Sequence, residues 1–368
     1  MTARPDQRPM RALPILESSR PALETCAFCP KLCRSACPVS NAEPNETLTP
    51  WGKMTTSYLA ALGDAPLVSD IAGPAWACTG CGACAQACDH ENDVATTLLS
   101  ARSAFYDRGI APAAAARVVA RFEEHRRATR AASAVLRSDA NADTTLLIGC
   151  AYSLRAKPEA NDALAATRTL AGPVRVADDC CGLPLLHAGD QHGFAAHARA
   201  LSARLRESAD IVVVDPGCAV ALRKEYARLG IELPPVSTLI ERAVARLDDL
   251  STLPTSGQVR WHDPCQLGRG LGLYAEPRAI LTRALGYAPH EQLDVRERAR
   301  CSGGGGLLPV TMPEVSRAIA KDRTQEHEES GGGELVTACA SSLISLRRAA
   351  EGRFVVSDLV TWIARALR

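Results

Sequence analysis

IVVVDPGC, residues 211–218, is a short apolar run that stops at a Pro-Gly turn and a cysteine. Three other stretches share this form: TTLLIGC at 144–150, GQVRWHDPC at 257–265 and ELVTACASS at 334–342. Runs of this length, rich in Val, Ile and Leu and bounded by turn residues, read as buried strands. RFVVSDL at 353–359 reads as a further strand. Helical stretches lie between them, such as GFAAHARALSARLRESA at 193–209 and PEVSRAIAKDRTQEHEES at 313–330. Strand alternating with helix argues α/β architecture. STLPTSG at 251–257 is a linker that splits this half in two. The two parts look like a duplication. Cys150, Cys180-Cys181-Gly182 and Asp215-Pro-Gly-Cys218 in the first answer to Cys265, Cys301-Ser302-Gly303 and Cys339-Ala-Ser-Ser342 in the second. The offsets of 115, 121 and 124 residues (150 to 265, 180 to 301, 215 to 339) drift slowly, as a repeat with small insertions would.

Upstream the grammar differs. The chain of 368 residues holds 15 cysteines, and eight of them fall in two runs before residue 90. The second run is Cys78-x2-Cys81-x2-Cys84-x3-Cys88, the spacing of bacterial-type iron–sulfur ferredoxins. Three thiolates on a tight turn reach three corners of one cube, and the fourth cysteine completes a different cube. Gly80 and Gly82 let that turn wrap closely. The first run, CAFCPKLCRSACP at 26–38, is one residue wider. Asp89 stands where proline usually follows the second run. The exchange predicts one 4Fe-4S set of Cys26, Cys29, Cys33 and Cys88, and a second of Cys78, Cys81, Cys84 and Cys37. Two zinc sites are the alternative. Structural zinc takes paired cysteines on separated knuckles, so the spacing favours iron–sulfur. The forty or so residues between the runs suit a mainly helical two-cluster domain better than a compact two-repeat ferredoxin. The Ala- and Arg-rich stretch at 99–140 reads as helix, and its RFEEHRR segment at 121–127 as a solvated face.

The segments CCGLPLLHAGD (180–190), VVVDPGCAVALRKEYARLG (212–230), WHDPCQLGRGLGLYAEPRAIL (261–281) and CSGGGGLLPV (301–310) resemble the duplicated CCG domain. That cysteine-rich domain occurs in the catalytic subunit of heterodisulfide reductases. It also occurs in the iron–sulfur subunits of glycolate oxidase, lactate-utilisation proteins and anaerobic glycerol-3-phosphate dehydrogenase. The resemblance covers residues 21–368 and implies an α+β chain: a helical two-[4Fe-4S] ferredoxin-like domain followed by two repeated α/β CCG domains. The expected boundaries are a flexible lead at 1–20, the dicluster domain at 21–110, connecting helices at 111–143, and CCG domains at 144–252 and 257–368. In the family each repeat has the form Cys…Cys-Cys-Gly…Cys-x-x-Cys and holds a noncubane cluster in heterodisulfide reductase. Here the first repeat keeps Cys150, Cys180, Cys181 and Cys218, with Asp215 at the remaining position. The second keeps Cys265, Cys301 and Cys339, with Ser302 and Ser342 at the others. Serine replaces thiolate on iron poorly, and Asp215 would be a harder ligand. The first repeat therefore has donors for a further cluster. The second has enough for a three-iron cluster, a cubane with one open iron, or none. His262 offers the second repeat a fourth donor, although a histidine there is more often a structural hydrogen-bonding residue. The glycine run, with Gly303, Gly304 and Gly305, lacks the Lys-Ser/Thr of a nucleotide loop and suits close approach to a cluster or cofactor.

The balance of 42 Lys+Arg against 41 Asp+Glu excludes a bulk basic footprint for nucleic acid. No apolar run reaches the ~18–20 residues of a membrane span, and the N-terminus has no signal-peptide pattern. A cytoplasmic protein is expected, at most peripheral to the inner membrane through a partner. No flavin fingerprint is present. The resemblance implies an iron–sulfur electron-transfer subunit between a flavoprotein dehydrogenase partner and a quinone-linked or other acceptor, such as a membrane protein that feeds a quinone. The alternative is a heterodisulfide-reductase-like catalytic subunit that reduces a disulfide or sulfur substrate at a CCG cluster. A third reading is a scaffold whose CCG half only docks partners.

Overall fold

The computed structural model describes residues 8–368, and its chain divides into two compact units. The first holds the chain through Ala120 together with Pro184–Gln191 and Gly305–Ile319. The second holds Arg121–Leu183, His192–Gly304 and Ala320–Arg368. This division differs from the contiguous domains read along the sequence. After each glycine turn of the α/β half, a short segment leaves its own sheet and joins the helical unit. Leu308, Val315 and Ile319 share a small core there with Cys37, Val39, Leu48 and Ala77.

The first unit is helical. Arg20–Ala27, Pro50–Leu62 and Val94–Asp107 bury Leu23, Met54, Leu98 and Phe105 around Trp76. Local chemistry sets their ends. Thr49 Oγ1 accepts from Gly52 N at 3.0 Å with Pro50 at the first helical position, and Asp93 Oδ1 accepts from Thr96 N at 3.0 Å. Of the lead expected over 1–20, residues 1–7 lie outside the described residues. The rest is corrected: Pro14–Ser19 form a 3-10 helix, and Met10, Leu13 and Leu16 are buried in the helical core. Apolar side chains spaced by three residues found a surface to bury, which an Arg/Pro-rich composition conceals.

The second unit contains both repeats. β1 (Thr144–Leu147), β2 (Val174–Val176), β3 (Asp210–Val213) and β4 (Val236–Thr238) form one parallel sheet in the order β2-β1-β3-β4. β5 (Val259–Trp261), β6 (His290–Glu291), β7 (Glu334–Thr337) and β8 (Val356–Asp358) form a second in the order β6-β5-β7-β8. The two orders are the same when β1 is matched to β5. The inner strands are buried on both faces, as parallel strands covered by helices must be. Helices Lys157–Ala171 and Leu359–Ala366 pack together, and one apolar core runs from Leu146 and Val212 to Trp261, Val336 and Trp362. In this topology the chain reverses its direction of travel between β1 and β3, and between β5 and β7. The carboxyl ends of those strands open onto a crevice that favours ligands. Cys150 follows β1 and Cys218 follows β3; Cys265 follows β5 and Cys339 follows β7. No helix among the described residues is long and apolar enough to cross a membrane.

Candidate metal centres

None of the fifteen cysteines forms a disulfide. In the helical unit, one cavity is lined by Cys37, Cys78, Cys81 and Cys84. A second is lined by Cys26, Cys29, Cys33 and Cys88, with Cys84 also on its wall. Gly80 and Gly82 take left-handed φ of 68° and 72°, and Gly80 N donates to Cys78 Sγ at 3.4 Å, so the loop folds its backbone toward its own sulfur. Burial pushes the Cys26 thiol up to about 12 and Cys33 up to about 11, and raises Cys78 and Cys84. Thiolates held there need a cation among them, and at least four thiols lining each cavity suit the ligation of a 4Fe-4S cluster. The surroundings differ. The buried Lys53 Nζ donates to Cys37 Sγ at 3.5 Å, and the buried Arg102 guanidinium donates to Cys78 O at 2.9 Å. Arg102 also donates to Ala75 O, His187 O and Gly306 O, so it ties both joining segments to the loop of Cys78. Cys26 Sγ instead accepts from the neutral Asn92 Nδ2 at 3.1 Å.

In the first repeat, Cys150 opens the helix Cys150–Arg155 directly after Gly149, whose φ is +102°. A side-chain Cβ at Gly149 would stand 2.9 Å from Asp215 Cβ. Cys180 Sγ lies 3.6 Å from Cys150 Sγ, and the Cys181 thiol lies against those of Cys180 and Cys218. The thiol of Cys180 and then His125 bring Cys150 down to about 6. Asp179, fully buried, accepts from Cys180 N at 2.9 Å, from Arg126 Nη2 at 2.7 Å and from Arg204 Nη2 at 2.8 Å. His197 Nε2 donates to Cys180 O at 2.7 Å, and Tyr226 Oη donates to Cys181 O at 3.1 Å. Gly182 sits at φ +87°, and a Cβ there would press within 3.0 Å of Phe194 and His197. The Cys-Cys-Gly turn is therefore held rigid from behind, with its sulfurs facing one another.

Two readings change here. Asp215 is not placed as a ligand. Its Oδ1 accepts from Gly217 N at 2.9 Å and Cys218 N at 3.3 Å, capping the helix Pro216–Val220, and its Oδ2 accepts from Ala340 N at 3.4 Å. Burial and the sulfurs of Cys181 and Cys150 push it up to about 7. The second change is His125, in the segment read as a solvated face. Ligand atoms of His125, Cys150 and Cys180 lie within 4.8 Å of one another, the one such trio among the described residues. A signal existed in the sequence: Phe122, Thr129 and Ser133 are buried at helical spacing on the Phe122–Ala134 helix, and His125 shares their face.

The second repeat repeats the backbone with other chemistry. Gly303 N donates to Cys301 Sγ at 3.3 Å, as Gly182 N does to Cys180 Sγ at 3.5 Å. Where Cys181 meets Cys218 in the first repeat, Ser302 Oγ and Ser342 Oγ share a hydrogen bond of 2.9 Å. Cys265, Cys301 and Cys339 hold their places at the strand ends, and Cys339 is pushed up to about 12 by burial. His262 is buried and its proton affinity falls to about 4 through burial and the charge of Arg323; no metal-sized trio forms around it among the described residues. The glycine run closes on protein instead of leaving a cradle for a cofactor. A Cβ on Gly304 would meet Ser341 O at 2.5 Å, one on Gly305 would meet Thr79 O at 2.5 Å, and one on Gly306 would run into Cys78 O.

The family described as 4Fe-4S dicluster domain matches residues 22–92, and the cysteine-rich domain family CCG matches 144–223 and 259–347. The chain is 28% identical over 273 residues to a subunit of the fumarate reductase (CoM/CoB) of Methanothermobacter marburgensis, covering 72% of this chain and 55% of that one. It is 28% identical over 202 residues to a subunit of the dihydromethanophenazine:CoB–CoM heterodisulfide reductase of Methanosarcina barkeri, covering 51% and 49%. The chain thus spans about half the length of the curated relatives it matches. It belongs with the proteins that join a 4Fe-4S dicluster domain to duplicated CCG domains, and is homologous to the CCG-containing subunit of heterodisulfide reductase and to fumarate reductase-type iron–sulfur subunits.

Proposed function

We propose that this chain is an iron–sulfur electron-transfer subunit, relaying electrons between a flavoprotein dehydrogenase partner and a quinone-linked or other acceptor. The observation that carries the reading is the pair of cavities, walled by four and five cysteines drawn from both N-terminal runs, with Cys84 on both walls. Cys26, Cys29, Cys33 and Cys88 would hold one [4Fe-4S] cluster, and Cys37, Cys78, Cys81 and Cys84 the other. Such clusters supply one-electron transfer when bound. The chain's own residues bias it. Lys53 and Arg102 place positive charge beside the second set and favour its reduced state, whereas Asn92 offers the first set only a neutral dipole. Electrons are then expected to rest on the second set. The first CCG repeat, whose thiols are gathered, is the reactive end of the α/β half.

The test is iron and acid-labile sulfide per chain on protein purified without oxygen, with Cys29→Ser and Cys81→Ser beside it. About eight irons on the N-terminal cysteines are expected. Each substitution should degrade one of two signals in a potentiometric EPR titration, and Lys53→Met should lower the potential of the second set only. Iron near zero after reconstitution, with stoichiometric zinc, would sink the proposal. A disulfide-reducing catalytic subunit finds less support, because Ser302 and Ser342 bond to each other and Asp215 caps a helix at three positions that the reductase pattern fills with cysteine.

A further inference from the structure

We infer that a redox partner protein docks on the face of the helical unit that rims Cys29 and Cys88, and that it presents lysines and arginines around an apolar centre. The inference rests on the relay reading. It deepens that reading by naming the set that meets the partner and the chemistry the partner must carry.

The two cavities have different rims. Val39, Pro50, Lys53 and Thr79, all buried, stand around Cys37, Cys78, Cys81 and Cys84, and none of that cavity's lining residues is exposed. The carbonyl of Cys78 is covered by the Arg102 guanidinium and lies against Gly306. Around Cys26, Cys29, Cys33 and Cys88 stand half-buried Thr25, Lys31 and Trp51 and exposed His90. Electron transfer between proteins weakens steeply with distance, so the set with the open rim is the one a partner can reach.

That rim has an apolar centre. Phe28, between Cys26 and Cys29, is 73% exposed. Its ring meets Tyr58 edge-on with centroids 6.1 Å apart, and Trp51 Nε1 donates to Ala27 O at 3.2 Å. Trp51 and Tyr58 lie two turns apart on the helix Pro50–Leu62, hence on one face. Only 4% of the chain is aromatic, yet Phe28, Trp51 and Tyr58 gather beside one cavity. Aromatic side chains grouped in this way are what interfaces place at their centre.

The charge around this centre has one sign. The turn after Cys88 closes with Glu91 N donating to Cys88 O at 2.9 Å, which holds exposed Asp89, His90 and Glu91 beside that cysteine. Neither Asp89 nor Glu91 forms an ion pair among the described residues. Exposed Asp93 follows, capping the helix Val94–Asp107 and keeping its charge. The basic side chains of the neighbouring loop are engaged already. Lys31 Nζ lies 4.0 Å from the centre of the Trp51 ring and 3.6 Å from Glu46 Oε2, and Arg34 pairs with the same carboxylate. Negative charge remains in excess, and the thiolates of the first set add to it. A basic ring complements this face, and an acidic partner is repelled by it.

One electron passes in each encounter: the first set gives it up and the partner's cofactor gains it. The experiment uses the full chain, loaded with iron, reduced by dithionite without oxygen and freed of excess reductant. Two one-electron acceptors are mixed with it in stopped flow: ferric cytochrome c, whose haem edge is ringed by lysines, and ferricyanide, a small anion. The cytochrome rate should fall at least tenfold between about 10 and about 200 mM salt, while the ferricyanide rate rises. Asp89→Asn with Glu91→Gln should lower the low-salt cytochrome rate at least fivefold and raise the ferricyanide rate. Phe28→Ser should lower the cytochrome rate at high salt as well, where charge is screened. Asp248→Asn with Glu329→Gln, exposed carboxylates of the α/β half, should change neither rate. A cytochrome rate indifferent to salt, or to the loss of Asp89 and Glu91, overturns the inference. If the double variant loses iron, Glu91→Gln alone and the wild-type salt slope decide. A chain that holds no cluster would defeat the relay itself; clusters that reduce both acceptors regardless of Asp89 and Glu91 would defeat only the inference.

Discussion

The two α/β repeats follow one chain path and hold opposite interiors. Both place cysteines after the inner strands, and both fold a Cys-x-Gly turn onto its own first sulfur. In the first, sulfur meets sulfur: Cys150, Cys180, Cys181 and Cys218 touch in sequence, with His125 beside them. In the second, two hydroxyls satisfy each other at 2.9 Å. A thiol cluster raises its own electrostatic cost until a cation enters, whereas a serine pair is complete without one. The duplication has kept the scaffold and separated the chemistry, leaving one repeat with gathered thiols and the other with a bonded serine pair.

The sharpest way to break this comparison is substitution at matched positions. Cys180→Ser should lower the metal content per chain, while Cys301→Ser should leave it unchanged; equal losses in the two variants would end the distinction. Restoring the missing sulfurs comes next. The double variant Ser302→Cys, Ser342→Cys should bind zinc in the second repeat at least tenfold more tightly than wild type, read by competition with a chromophoric chelator. No gain would mean that more than the serines separates the repeats.

Smaller effects sharpen the picture. Asp179 is buried under Arg126 and Arg204, whereas the matching Arg300 is exposed and pairs with Asp294. Asp179→Asn should cost about 2 kcal/mol in denaturant unfolding, because hydrogen bonds to a charged acceptor are lost; the partly exposed arginines can turn to water, which limits the loss. Arg300→Ala should stay within about 0.5 kcal/mol. A pH effect links the repeats. Tyr152 Oη donates to Asp358 Oδ2 at 2.8 Å, and burial pushes Asp358 up to about 7. The folded state then binds a proton that the unfolded chain has lost, so stability is greatest at low pH and falls as pH rises through 7. About 1 kcal/mol should disappear between pH 6 and 8 and be absent in Asp358→Asn, which keeps the helix cap. An unchanged slope in that variant would assign the pH dependence to another group.

Much of the architecture was legible because its signals are local. The strands announce themselves as runs such as IVVV at 211–214, and the duplication shows as matched cysteines at nearly constant offset. Spacing alone singled out the eight N-terminal cysteines, and all eight line the two cavities of the helical unit. What stayed hidden involves partners far apart in the chain. His125 and Cys180 are separated by two strands and two helices, and nothing in RFEEHRR distinguishes a histidine aimed inward from one in water except the face it shares with Phe122. The glycines at 303–305 looked ready for a cofactor, but a Cβ on Gly304 or Gly305 would meet Ser341 O or Thr79 O.

By itself the sequence determined the strand–helix alternation, the repeat, and the two cysteine spacings that ask for iron, because each depends on residues a few positions apart. Only the tertiary structure decided which donors meet. It gave Asp215 to a helix cap, His125 to the sulfurs of the first repeat, and Ser302 to Ser342. A side chain's chemistry is set by its type, but whether it ligates, caps or closes a gap is set by the neighbours that long-range packing brings within a few ångströms.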